Sequence, residues 1–227
     1  MNSPQPSPWT LRFSLFGLPV SIHPVSWVVL AILGGALGVS DGGQLSRVLL
    51  FVVAGMLTLL VHEFGHALTG RATGALVVLA GPLATLVLGA LLGLAFGLQL
   101  GNAWLGLRLA FLLPWVETLP LELQQQLMVG LYTHSVPELL VQFYVVGMSI
   151  CFWWGLFNLL PIFPLDGGRL LGSVINNYAV PCVIGLVLSA GLAIWALVEA
   201  QWLNVMILGY LGFINWQYLA VFRRSGK

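Results

Sequence analysis

Long apolar runs separated by short stretches rich in glycine, proline or polar residues set the rhythm of the chain. Read as helices, they predict six membrane spans at about 23–39, 47–70, 75–99, 139–160, 181–199 and 202–222, near the roughly 20 residues that cross a bilayer. Ahead of them, residues 1–22 (MNSPQPSPWTLRFSLFGLPVSI) read as a Pro- and Ser-rich polar leader, then a short amphipathic approach to the membrane. Residues 223–227 form a basic tail. The predicted fold class is all-α: a polytopic membrane protein of about six transmembrane helices, with 23–222 as a single transmembrane domain.

Two places depart from this rhythm. Residues 101–138 mix short apolar runs with Arg108, Glu117, Glu122 and a Gln triplet, and Pro114 and Pro120 interrupt them. This connection reads as interfacial or partly re-entrant, or as hiding one more crossing. In the third span Gly89, Gly93, Gly97 and Gly101 recur every fourth residue. On a helix they form one smooth stripe that admits a neighbouring backbone. Trp9, Trp27, Trp104, Trp115 and Trp202 fall near span ends, where amphipathic rings favour the interface.

Composition removes the alternative of a soluble domain. The 227 residues are 59% hydrophobic and 7% charged, with a mean hydropathy of +0.99, against about 25% charged in soluble domains. The net charge of +1 gives no case for a nucleic-acid partner. Cys151 and Cys182 lie in or beside apolar runs and read as small buried hydrophobes. A cleaved signal peptide does not fit a leader whose one basic residue is Arg12 and whose first apolar run is long.

Charge also orients the spans. With six crossings, Arg12, Arg71, Arg169, Arg223, Arg224 and Lys227 share one side, against Arg47 and Arg108 on the other. The excess places both termini in the cytoplasm.

Against so apolar a background, His62-Glu63-Phe64-Gly65-His66 stands out in the second span. A charged group in mid-span costs about 2.5–3.5 kcal/mol on insertion scales, and such groups are candidates for function. His62 and His66, at i and i+4, stand one above the other on one helical face. Two imidazoles so placed can ligate one zinc ion while the adjacent Glu63 can reach the water bound to it, the HExxH arrangement of zinc hydrolases. The competing reading is a structural network of two neutral histidines and a buried Glu63.

Catalytic zinc takes three protein ligands. Glu117, Glu122, Glu138, Glu199 and Asp41 fall in connections or span ends on the opposite side. Asp166 lies in NLLPIFPLDGGR, just past the fourth span, where Pro161 and Pro164 end the helix and Gly167-Gly168 permit a tight turn. His62 and His66 lie about 8–14 Å inside the cytoplasmic end of the second span at a rise of about 1.5 Å per residue. Asp166 lies at the cytoplasmic end of the fourth. All three predicted ligands thus share a membrane side, although the charge count did not use them.

Together HEFGH and NLLPIFPLDGGR resemble the site-2 protease family of intramembrane zinc metalloproteases. FGLPVSIHP (16–24) is similar to the approach to the first span in bacterial members, and AGPLATL (80–86) to the Ala-Gly-Pro motif that opens their third. The resemblance covers about 16–170; the last two spans agree in number. It implies one zinc ion per chain held by His62, His66 and Asp166, with Glu63 as general base and Asn158 contacting the substrate strand. It implies hydrolysis of a peptide bond in or near a transmembrane helix of another membrane protein, in a bacterial cell membrane and toward its cytoplasmic side. Membrane lipid is then the other partner.

Two departures accompany the likeness. Only RATGALVVL (71–79) separates the HExxH span from the Ala-Gly-Pro motif, where members usually place a longer segment, often a small membrane-associated sheet. Thr85 stands where many carry Asn. The rival readings are a non-catalytic protein that captures transmembrane helices on the same fold, and a metal-ion carrier. An intact Glu63 argues against the first, and the lack of a polar trail through both membrane halves against the second. His23 reads as a helix-start residue, His134 as a surface residue, and Arg169 as an interfacial anchor.

Overall fold

The computed structural model describes residues 9–70, 74–113 and 119–225, so Arg71, Pro114, Trp115 and Glu117 lie outside the described residues. Leu11–Leu15 (β1) and Leu18–Ile22 (β2) pair in an antiparallel hairpin. Then come helices α1 (Pro24–Leu33), α2 (Gly42–Leu68), α3 (Ala75–Gln99), α4 (Ala103–Leu112) and α5 (Leu121–His134). α6 (Glu138–Asn158), α7 (Asp166–Ile175), α8 (Ala179–Val198) and α9 (Trp202–Ser225) complete the order. Five of these, α2, α3, α6, α8 and α9, are long and apolar enough to cross a membrane. The protein is an all-α polytopic membrane protein apart from the hairpin.

The hairpin corrects the reading of the leader. Leu11, Phe13, Leu15 and Leu18, Val20, Ile22 alternate with Arg12, Ser14, Pro19 and Ser21, which is the period of a strand. Phe16 and Gly17 take positive φ (51° and 79°), as a two-residue hairpin turn requires. The first predicted span, 23–39, is also shorter than expected. α1 has 10 residues, about 15 Å at 1.5 Å per residue, half of a hydrocarbon core of about 30 Å. It starts at His23, whose ring accepts a hydrogen bond from the Val25 amide at 3.4 Å, and stops at Gly34-Gly35, Gly35 with φ 91°.

The chain divides into two compact units, residues 1–60 with 87–152 and residues 61–86 with 153–227, so that α2, α3 and α6 contribute to both. In the first unit, the broken 101–138 connection supplies much of the core. Leu105, Leu109, Leu113, Leu119 and Leu123 pack with Phe96, Tyr144 and Met148, all buried. α4 lies against α3 so closely that a Cβ on Gly106 would strike the backbone of Gly93 and Gly97, the service predicted for the glycine stripe, whereas Gly101 lies past the end of α3 with φ 73°. Asn102 caps α4 by accepting from the Leu105 amide at 3.0 Å. In the second unit α8 and α9 form an antiparallel pair joined by Glu199–Gln201, and α7 packs beside α8. The end of α2, the start of α3 and the turn from α6 into α7 carry the residues of interest in this unit.

Candidate metal centre

The C-terminal end of α2 presents both histidines on one face, His62 buried and His66 partly so. Gly65, between them, lets α3 approach: a Cβ there would run into the Ala80 carbonyl and lie 2.9 Å from the Ala84 methyl. Gly81 lies directly beneath the two imidazoles, with a would-be Cβ 2.9 Å from His62 Nε2. The Ala-Gly-Pro motif therefore opens the floor of the site to the two rings. Trp154 on α6 meets the His62 ring edge-on, centroids 6.4 Å apart at 84°.

The third component comes from the turn after α6. The helix stops at Asn158, and residues 159–165 turn through Pro161 and a cis Phe163-Pro164 bond to start α7 at Asp166. A carboxylate in the first turn of a helix sits at the favourable end of its dipole. Gly167 and Gly168 act differently from expectation. Both lie inside α7 rather than in a turn, and their missing Cβ atoms let the helix pack onto the backbone of Leu159–Phe163.

His62 Nε2, His66 Nε2 and Asp166 Oδ2 stand at the corners of an almost equilateral triangle. The His–His edge is 3.2 Å, the His66–Asp166 edge 3.2 Å and the His62–Asp166 edge 3.1 Å. The outer ring nitrogens decide what these corners are. His66 Nδ1 lies 2.7 Å from the Val77 carbonyl, which can only accept, so Nδ1 carries the proton. Thr85 Oγ1 donates to the Gly81 carbonyl at 3.0 Å and so accepts from His62 Nδ1 at 3.1 Å. In the neutral rings both Nε2 atoms then offer lone pairs turned toward each other and toward a carboxylate oxygen.

Three acceptors at such distances repel. One proton would relieve one edge; a divalent cation relieves all three. Ligands on a tetrahedral zinc at about 2.0–2.1 Å are spaced about 3.3 Å apart, close to the edges found. The donor set fits zinc, and outer hydrogen bonds that fix ring tautomers are what such sites use. Among the described residues this is the group of His, Cys, Asp and Glu side chains near enough to share an ion.

Glu63 lies next to His62 on α2 and is exposed. Asn158 is buried, but its amide donates to the Trp154 carbonyl of its own helix at 2.9 Å, and no hydrogen bond joins it to the triangle. Arg169 is exposed, and the ion pairs Asp166 makes among the described residues are to the two histidines. The Val77 carbonyl and the Gly81 floor escape a reading of the sequence, because neither offers a side chain. Thr85, visible as a departure from the family pattern, proves to be the partner of His62. Thr85→Val keeps the shape and removes the acceptor, and zinc affinity should fall about 10–100-fold. A chelator competition measures this, and an unchanged affinity would show that His62 is oriented by something else.

A polytopic helical membrane protein with a two-histidine, one-aspartate centre is the class these observations define. The fold is that of a site-2 protease: it matches "Site-2 Protease from Methanocaldococcus jannaschii" with a TM-score of 0.54 at 16% identity, covering 93% of this chain and 95% of that one. No protein-family model matches the chain, and no curated protein matches its sequence.

Proposed function

We propose that the protein is an intramembrane zinc endopeptidase that hydrolyses a peptide bond in or near a transmembrane helix of another membrane protein. The observation that carries this reading is the triangle of three lone-pair donors, His62, His66 and Asp166, with the exposed Glu63 next to His62 in the chain. Bound zinc supplies Lewis acidity, lowering the pKa of its water toward neutrality and polarising the scissile carbonyl. His62 and His66 hold their Nε2 lone pairs at the site, oriented by Thr85 and Val77. Glu63 takes the water proton and returns it to the leaving amine. A substrate helix must unwind locally, since its carbonyl carbons are otherwise enclosed in its own backbone.

The charge count supports a cytoplasmic centre even with α1 set aside. Taking the five long helices as the crossings, Arg71, Arg169, Arg223, Arg224 and Lys227 fall on the side of the triangle, against Arg12, Arg47 and Arg108. That excess supports a cytoplasmic centre by the positive-inside rule. The side of the N-terminus then depends on how α1 sits, and both termini share the cytoplasm if α1 acts as a sixth crossing.

The test uses purified protein, a fluorescent transmembrane-helix substrate and a zinc chelator. We expect about one zinc per chain, cleavage that stops on chelation, and recovery on adding zinc. Zinc without cleavage of any helix tried would instead mark a protein that captures helices. Absence of zinc under metal-replete conditions would remove the centre itself.

A further inference from the structure

We infer that Asn215 on α9 is a positioning residue for Asp166, acting through the backbone of the turn that carries the carboxylate; the inference rests on the zinc-site reading above. Asn215 is fully buried in a helix long and apolar enough to span the membrane. There an amide needs a reason to be present. Its Nδ2 donates to two carbonyls, Leu211 on its own helix at 2.7 Å and Phe163 in the turn at 2.6 Å. The first bond is local and would form wherever the helix lay. The second reaches across 52 residues to a carbonyl three positions before Asp166.

The same face of α9 grips the side chain of that residue. Tyr218 and Phe222, three and seven positions after Asn215, meet the Phe163 ring with centroids 4.6 Å and 5.6 Å away. Tyr178 meets it from another side at 6.3 Å. Phe163 is thus held by its carbonyl and by its ring at once. α8 makes room for this: Gly185 faces Asn215, and a Cβ there would strike the amide. Asn215 Oδ1 is buried with no hydrogen-bond partner among the described residues, so the donor side of the amide is the side put to use.

Metal sites need their donors held within about 0.5 Å, and residues 159–165 lie outside any helix or strand. With Phe163 clamped, the start of α7 is registered against the two histidines. Asp166 does the ligating; Asn215 sets where it stands.

The experiment measures zinc affinity of the full chain in detergent by chelator competition, with Co²⁺ absorption reporting coordination. The variants are Asn215→Leu, Asp166→Ala and the two combined. Asn215→Leu should weaken zinc binding about 10-fold or more and alter the Co²⁺ bands. Because Asn215 acts through Asp166, it should change little further in the Asp166→Ala background. Ser189→Ala is the packing control: its hydroxyl, in the same helix pair, is buried with no hydrogen-bond partner among the described residues, and the variant should bind like the parent. If Asn215→Leu does not fold, Tyr218→Leu replaces it, with a smaller loss in the same direction. Parent-like affinity in the folded variant, or equal losses in both backgrounds, overturns the inference and leaves the zinc site standing. A parent that binds no zinc removes the zinc site, and the inference with it.

Discussion

Glu63→Gln should lower cleavage of a transmembrane-helix substrate by about 10²–10⁴-fold, the range of general acid–base catalysis, and leave bound zinc unchanged. The substitution keeps the size of the side chain and its place on α2 while removing its capacity to accept a proton. It should not disturb the donors, since the triangle consists of His62 Nε2, His66 Nε2 and Asp166 Oδ2 and is fixed by Thr85 and Val77. Turnover and zinc content measured on the same preparation separate the possibilities. A variant that cleaves at the parent's rate shows that another group moves the proton. Loss of zinc together with activity would make Glu63 part of the structure of the centre rather than its base.

Gly81→Ala should cost about 100-fold or more in zinc affinity, beyond the effect of losing a single supporting hydrogen bond. The new methyl would lie against His66 Nε2, 2.6 Å from His66 Cε1 and 2.9 Å from His62 Nε2. Neither ring can turn aside freely, because Val77 and Thr85 hold the opposite nitrogens. Room for the methyl is found only by breaking one of those hydrogen bonds or by moving α3, and Gly65 already brings α3 against α2 at Ala80. Gly209→Ala is the comparison, as a Cβ there meets nothing within 4 Å among the described residues. Metal retained after exhaustive dialysis reads out both. If the Gly81 variant keeps its zinc as the Gly209 variant does, the floor of the site is more pliable than the structure indicates.

How far the sequence could be read depended on whether a role belongs to a side chain. His62, His66 and Asp166 were legible because ligand chemistry needs those groups, and an apolar span makes each of them conspicuous. The long helices were legible from hydropathy. The true length of α1 is hidden in the sequence, because apolar composition continues to Val39 whereas the helix ends where Gly34 and Gly35 release the backbone. The hairpin is masked by its context: its alternation is plain in LRFSLFGLPVSI, yet a membrane protein invites a helical reading. The 101–138 segment hid its value because burial there comes from packing among α3, α4, α5 and α6, which no local pattern displays. Asn215 gave no signal: a lone amide in a span means little until the carbonyl it reaches is seen.

The two halves of the centre are 100 residues apart in the chain, and this has a consequence in time. At synthesis rates of about 5–20 residues per second, the histidine pair precedes its carboxylate by about 5–20 s, and Asn215 follows later still. Throughout that interval the nascent protein carries an incomplete candidate metal centre in the membrane, beside whatever other helices are being inserted. Competence arrives late in biogenesis, once most of the helices able to surround the centre have been made.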